Sequence, residues 1–119
     1  MRCVSFLKIK ESIVHWIMCN EQLKNNNIPL EVLNNDEKVF RIILTFGECL
    51  AEIRLQETDY APFNLVCFEM IDIENSIVSM VHSWYDDEFS TLEDIKIGLN
   101  QSICIALGHC IKRNAQNIP

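Results

Sequence analysis

The strongest constraint on the fold is a period-two pattern in the middle of the chain. In Cys49–Gln56, apolar residues alternate with Glu52, Arg54 and Gln56, so an extended strand would have one apolar and one polar face. The apolar run Val39–Phe46 precedes it, and the intervening Gly47 and Glu48 leave a link short enough for a hairpin. The pattern predicts two antiparallel strands.

Further strands are predicted on both sides of this hairpin. Short apolar runs occupy residues 28–33, 64–71 and 77–85, and turn signals occupy residues 34–36 and 72–76, with a polar loop at 57–62. In the last run the alternation predicts that Val78, Met80, His82 and Trp84 share one side. The runs together favour a meander of about five antiparallel strands.

Helical periodicity marks the two ends of the chain. Residues 4–23 carry an apolar stripe, and three asparagines at 25–27 with Pro29 beyond them predict its end. Ser90 and Glu93 have capping-box spacing and predict the start of a second, longer helix, whose tail is expected to fray at residues 114–119. Two helices can cover one face of the sheet, so the predicted fold is an α+β two-layer sandwich. With 119 residues, 49% of them hydrophobic, residues 1–119 are expected to form one domain.

The chain is acidic, with a formal net charge of -7. Nucleic-acid and anionic-membrane surfaces select clustered Lys and Arg, so direct binding to either is not expected, whereas a basic protein would be attracted. The alternative is that the charge serves solubility alone.

No apolar run approaches the ~20 residues of a membrane span. Residues 1–10 carry three basic residues and show no signal-peptide pattern. The six cysteines are predicted to be free thiols, as in a reducing compartment. A cytoplasmic location is therefore expected.

Common catalytic and metal-binding signatures do not occur in the sequence. The three histidines form no HxxxH or HxH pair, the six cysteines form no CxxC, and phosphate-binding glycine patterns are missing. The sequence therefore predicts a protein without enzymatic activity, metal or cofactor. An unrecognised Cys/His pair, brought together only by the fold, remains an alternative.

The candidate binding site is the segment that joins the last strand to the second helix. Trp84 and Tyr85 supply aromatic anchors, and three successive carboxylates, Asp86, Asp87 and Glu88, could pair with basic residues of a partner. Carboxylates also suit any helix N-terminus, which is the alternative interpretation. Further carboxylates are expected on the open sheet face or its rim, where they could extend the patch: Glu52, Glu69 and Asp72. Glu52 and Glu69 are expected to point away from the helices. The alternative is a solvated polar face without a partner.

The overall layout resembles a known family. A leading amphipathic helix is followed by RIILTFGECLAEIRLQE, then NLVCFEMIDIE, then SWYDDEFSTLEDI entering the last helix. This order is similar to that of the small acidic immunity proteins of bacterial contact-dependent growth inhibition, especially the group paired with transfer-RNA nuclease toxins that use elongation factor Tu. The resemblance implies a cytoplasmic protein that binds and blocks a basic toxin nuclease domain, with elongation factor Tu reached only through the toxin complex.

A second class of protein fits the same bulk properties. Secretion chaperones and adaptors are also small, acidic and α/β, and they bind an unfolded segment of a client. Homodimer formation and an exposed apolar groove would favour that class.

Overall fold

The computed structural model describes residues 5–56, 66–87 and 89–116, with residues 111–116 described as backbone only. The predicted loop at 57–62, the start of the fourth predicted strand at 64–65, and Glu88 lie outside the described residues. The elements in chain order are helices α1 and α2, five strands and a long helix: α1 Phe6–Met18, α2 Glu21–Asn25, β1 Leu30–Asn35, β2 Val39–Phe46, β3 Cys49–Gln56, β4 Val66–Glu74, β5 Ile77–Tyr85 and α3 Leu92–Gln116. The predicted α+β fold is confirmed.

The five strands form one sheet in sequence order, and each is antiparallel to the next. The predicted hairpin pairs Val39 with Gln56 and Phe46 with Cys49, and Gly47 takes a left-handed φ of 65° in its turn. The turn predicted at 72–76 is shorter, because β4 continues through Glu74. Asn75 and Ser76 alone make the turn, both with positive φ, as the type I′ form of a two-residue hairpin connection requires.

The core lies between one face of the sheet and the helices. Contacts join α3 to β2, β4 and β5, and join α1 to β3 and α3. Both long helices bury apolar residues at helical spacing: Ile9, Ile13 and Trp16 in α1, and Ile95, Leu99, Ile103 and Ala106 in α3. The Trp16 indole Nε1 also donates to Asn100 Oδ1 at 2.8 Å, which ties the two helices together.

The predicted first helix, residues 4–23, is divided in two. Helix α1 ends at Met18, and the Asn20 side chain then accepts a hydrogen bond from the Leu23 backbone N–H at 3.0 Å. Asn20 is therefore the N-cap of the short helix α2, a role that asparagine favours because its oxygen satisfies a free backbone donor. The apolar stripe continued through the break, so periodicity alone did not reveal it.

The start of α3 is also displaced by one residue from the prediction. The Asp94 N–H donates to Thr91 Oγ1 at 3.1 Å, and the Thr91 N–H donates to Asp94 Oδ2 at 2.9 Å. This reciprocal pair is a capping box with an aspartate in place of glutamate. Ser90 instead hydrogen-bonds Asp87, so the predicted Ser90 and Glu93 box was wrong in register. At its other end α3 remains helical through Gln116, where fraying from residue 114 was expected.

Two asparagines predicted to form a turn belong to strand β1. Asn34 and Asn35 pair with Arg41 and Phe40 of β2, and the chain bends only after them. At that bend the Asp36 carboxylate accepts hydrogen bonds from the Lys38 and Val39 N–H groups at 2.9 and 2.8 Å. These bonds favour the ionised carboxylate, so they lower the pKa of Asp36.

A β-bulge in β5 changes which side chains share a face. Met70 pairs with His82, but the next residue, Ile71, pairs with Met80, so Val81 is the extra residue. His82 and Trp84 lie on the helix-covered face, whereas Met80 and Val78 pair with residues on the open face. The prediction that all four share one side was therefore wrong.

Candidate interaction surface

The open face of the sheet carries a ladder of charged side chains. Arg41 lies opposite Arg54, and Glu52 lies opposite Glu69, which would place like charges side by side. The ion pairs run diagonally instead: Arg41 Nε donates to Glu52 Oε1 at 2.6 Å, and Arg54 Nη2 lies 3.6 Å from Glu69 Oε1. The hydrogen bond and charge of Glu52 raise the pKa of Arg41.

This arrangement qualifies the predicted role of two carboxylates. Glu52 and Glu69 do point away from the helices, as the alternation predicted. Each shares its charge with an arginine, however, so the face is a mixed ladder and not an extension of an acidic patch. Their contact with a partner stays a prediction.

Tyr85 and Cys67 continue the ladder at the β4–β5 end. They are directly paired, and Tyr85 remains 47% exposed while Cys67 is buried. The pKa of Tyr85 is raised, mainly by partial desolvation. The negative charge of Glu69 and a hydrogen bond with Glu69 raise it further. Burial is the main cause that raises the pKa of the Cys67 thiol to about 11. Cys67 is therefore neutral near pH 7, which is the opposite of what a nucleophilic cysteine needs.

The exposed and buried cysteines should differ in the rate at which their thiols are labelled. We expect Cys19 and Cys104, which are exposed, to react with iodoacetamide at least about tenfold faster than Cys67 at pH 8. Because the raised pKa keeps the thiol protonated, the Cys67 rate should go on increasing until the pH approaches 11. Mass spectrometry of labelled peptides gives each rate, and the same reaction in urea is the control. Equal rates for the three thiols in the folded protein would contradict the burial of Cys67.

The predicted cluster of carboxylates before α3 is not a uniformly exposed patch. Asp86 is only 4% exposed, and its carboxylate accepts a hydrogen bond from the Val66 N–H at 2.9 Å. The Asp86 N–H donates in turn to the Val66 carbonyl at 3.1 Å. Asp86 therefore closes the end of the β4–β5 pair and is not exposed with its neighbour Asp87, while its contact with a partner stays a prediction.

The neighbouring residues of this segment differ in exposure. Asp87 is exposed and accepts hydrogen bonds from the Phe89 N–H at 2.9 Å and the Ser90 hydroxyl at 3.2 Å. Phe89 itself is 82% exposed. Trp84 is half-buried and packs against the core, so of the aromatic residues here Tyr85 and Phe89 are the ones that present a large surface to solvent.

Asp72 lies on the helix-covered face, apart from Glu52 and Glu69. It is 7% exposed, and its Oδ2 is 2.8 Å from Nε2 of His109 on α3. The expectation that Asp72 lies on the open face or its rim was therefore wrong, since the strand alternation turns it toward the helices.

Sequence reasoning missed an exposed apolar group at the β4–β5 hairpin. On the open face Ile71 pairs with Met80, and Ile73 pairs with Val78, which makes a two-by-two block that we call the hairpin patch. Val78 and Met80 are 61% and 56% exposed, and Ile73 is 38% exposed. The alternation of Val78 and Met80 was the available signal, but the bulge at Val81 hid the face to which it belongs.

A polar cleft lies on the opposite side of the molecule, between α1–α2 and α3. Its volume is about 530 Å³, and its walls include His15, Cys19, Asn20, Lys96 and Cys104. Cys19 Sγ and His15 Nε2 are 3.7 Å apart at its edge. Both side chains are exposed, so this pair is a surface contact and not a water-excluding site.

Comparisons of the chain with protein-family models, with curated proteins and with solved structures found no match. Within the part of the chain that the structure describes, no helix is long and apolar enough to cross a membrane.

Proposed function

We propose that this chain is an immunity-type protein that binds a basic toxin nuclease domain in the cytoplasm and blocks it, with the hairpin patch as the centre of the contact surface. The observation that carries the proposal is one apolar block on the open face of the sheet, in which Ile73, Val78 and Met80 are exposed and Ile71 is half-buried beside them. Contiguous apolar surface of this kind is typical of protein–protein interfaces.

The surroundings of the patch suit a protein partner. The charged ladder borders it on one side, and Glu74, which is exposed, lies at the hairpin end. An apolar centre with a polar, charged rim is the usual anatomy of an interface. Tyr85 and Phe89, toward the far end of β5, would add aromatic anchors.

The charge of the chain supports a basic partner. A net charge of -7 would speed encounter with a cationic surface, and the nucleic-acid-binding cleft of a nuclease is such a surface. The immunity-protein layout of the sequence supports the same class of partner. The toxin would then bind elongation factor Tu, and this chain would not contact the factor directly.

A binding experiment tests the proposal directly. The probe is the carboxyl-terminal domain of the large secreted protein that this proposal expects the gene immediately upstream to encode. We expect it to bind this chain in a complex whose association slows with added salt, because the charges are complementary. The double variant Val78→Ala/Met80→Ala should bind at least about tenfold more weakly, because truncating buried anchors of an interface typically costs more than 1 kcal/mol each.

The matched control is Leu7→Ala/Met18→Ala on α1. These two side chains are 61% and 66% exposed but lie on the helical layer, so the affinity should not change. Equal loss in both variants, or none in either, would remove the hairpin patch from the interface. Absence of any complex, with no protection of cells that express the toxin domain, would overturn the function itself. A stable homodimer that buries the patch would favour the secretion-chaperone class.

A further inference from the structure

Three potential metal-ligating side chains converge beneath the last third of α3. Cys49 is the first residue of β3, and Asp72 lies directly opposite it on β4. His109 reaches them from α3. Cys49 Sγ, an Asp72 carboxylate oxygen and an His109 ring nitrogen all lie within 4.8 Å of one another. Among the described residues this is the one group of three such side chains that the fold brings together.

The burial of the group differs from that of surface acids and thiols. Cys49 is 0% exposed and Asp72 is 7% exposed, while the His109 side chain is 33% exposed. Placing a carboxylate in a largely apolar interior costs free energy unless a cation or hydrogen-bond donors compensate. Of the three side chains, the imidazole is therefore the one that reaches solvent, while the thiol and the carboxylate lie toward the core.

We propose that Cys49, Asp72 and His109 form a binding site for a transition-metal ion, with Zn²⁺ as the ion that the donor set fits best. Thiolate, imidazole and carboxylate are the three ligand types of protein zinc sites, whereas Ca²⁺ and Mg²⁺ select oxygen ligands. Zinc bonds of roughly 2.0–2.3 Å in a tetrahedron place ligand atoms about 3.4–3.6 Å apart. The Asp72–His109 contact of 2.8 Å would have to open by roughly 0.6 Å or more to admit the ion, which a side-chain rotation of the partly exposed His109 can supply.

The proposed ion would connect parts of the fold that are far apart in sequence. It would tie the β2–β3 turn, the end of β4 and the distal part of α3 into one unit. Three protein ligands leave the fourth position of a tetrahedral ion to a solvent molecule on the exposed side of His109. Binding would displace the thiol proton of Cys49, so affinity should fall as the pH is lowered.

Cobalt substitution tests the site without a known partner. Titration of the full chain with Co²⁺ should give a thiolate-to-cobalt charge-transfer band that saturates at one ion per chain, and Zn²⁺ should displace it. The band should be lost in Cys49→Ala. In His109→Ala, whose side chain is partly exposed and tolerates truncation better, Zn²⁺ affinity measured against a chromophoric chelator should be at least about tenfold weaker.

The exposed His15 and Cys19 pair provides the matched control. Cys19→Ala and Cys104→Ala remove the thiols of the polar cleft and should leave the band and the stoichiometry unchanged. A band that survives in Cys49→Ala but disappears in Cys19→Ala would place the ion in the cleft and overturn the proposal. So would the absence of a charge-transfer band in the wild-type protein. If Cys49→Ala does not fold, the His109→Ala affinity alone decides.

Discussion

Replacing Gly98 with alanine is expected to destabilise the protein by about 2 kcal/mol or more. A Cβ at this position would overlap with Cε2 and Cζ2 of the Trp84 indole, which packs against the helix here. Trp84 is held by its strand, and Gly98 is buried in the second turn of α3, so relief requires this part of the helix to move away from β5. Alanine normally stabilises a helix by ~0.5–1 kcal/mol relative to glycine, so the free-energy cost of relieving the overlap must exceed this gain for the variant to be less stable.

The helix would lose more than one contact by moving. The Ser102 hydroxyl donates to the Gly98 carbonyl at 2.8 Å, and it lies 3.1 Å from His82 Nε2. Because the hydroxyl hydrogen is used toward Gly98, the imidazole is the donor in the second bond. Ser102 is 0% exposed, so separating α3 from β5 would break its bond to His82 in a buried site, whereas its bond to Gly98 lies within α3 and would remain.

Gly108, ten residues further along the same helix, is the matched control. A Cβ there would meet nothing within 4 Å, so Gly108→Ala should stabilise the protein by about 0.5–1 kcal/mol. Urea unfolding measures both variants. Combining Gly98→Ala with Trp84→Leu should cost less than the sum of the two single changes, because the smaller side chain removes the overlap. A Gly98→Ala protein as stable as the wild type would show that the close approach of Trp84 to α3 is wrong.

Removal of the Asp86 carboxylate is expected to destabilise the fold by about 1–3 kcal/mol, whereas removal of the adjacent Asp87 carboxylate should cost less than about 1 kcal/mol. In Asp86→Ala the Val66 N–H loses its acceptor in a site that is 4% exposed, and water has little access to replace it. In Asp87→Ala water can replace the acceptor for the Phe89 N–H and the Ser90 hydroxyl, since Asp87 is exposed.

Comparing Asp86→Ala with Asp87→Ala also distinguishes a loss of fold stability from the loss of a contact with a partner. Because the two residues are neighbours with the same side chain, charge and chain position are matched. Urea unfolding of each variant is measured before any binding experiment, so that a weakened complex of Asp86→Ala is not attributed to a lost contact. Similar unfolding free energies for the two variants would mean that Asp86 is not buried in solution.

Local patterns predicted the elements well where one periodicity was uninterrupted. The alternation in Cys49–Gln56 placed that strand and the two faces of its side chains correctly. The apolar stripe in α3 identified the buried residues Ile95, Leu99 and Ile103. These patterns are reliable because the repeat of a strand or helix is a property of the backbone itself.

Predictions failed where one residue altered the register or where a side chain replaced a backbone partner. The bulge at Val81 moves Met80 to the face opposite the one that simple alternation implies. Asn20 begins a new helix inside a continuous apolar stripe. The local sequence predicts that Asp86 is one of three exposed acidic residues, but its carboxylate accepts a hydrogen bond from the Val66 N–H, twenty residues earlier.

The sequence by itself determined the order of the helical and strand regions, the acidic charge and most of the apolar residues that build the core, because each depends on residues close together in the chain. Only the tertiary structure decided which carboxylates are available. It paired Glu52 and Glu69 with arginines, turned Asp72 and Asp86 inward, and exposed the hairpin patch. It also brought Cys49, Asp72 and His109 together from three separate elements, a convergence that strand register and helix packing produce and that no local spacing encodes.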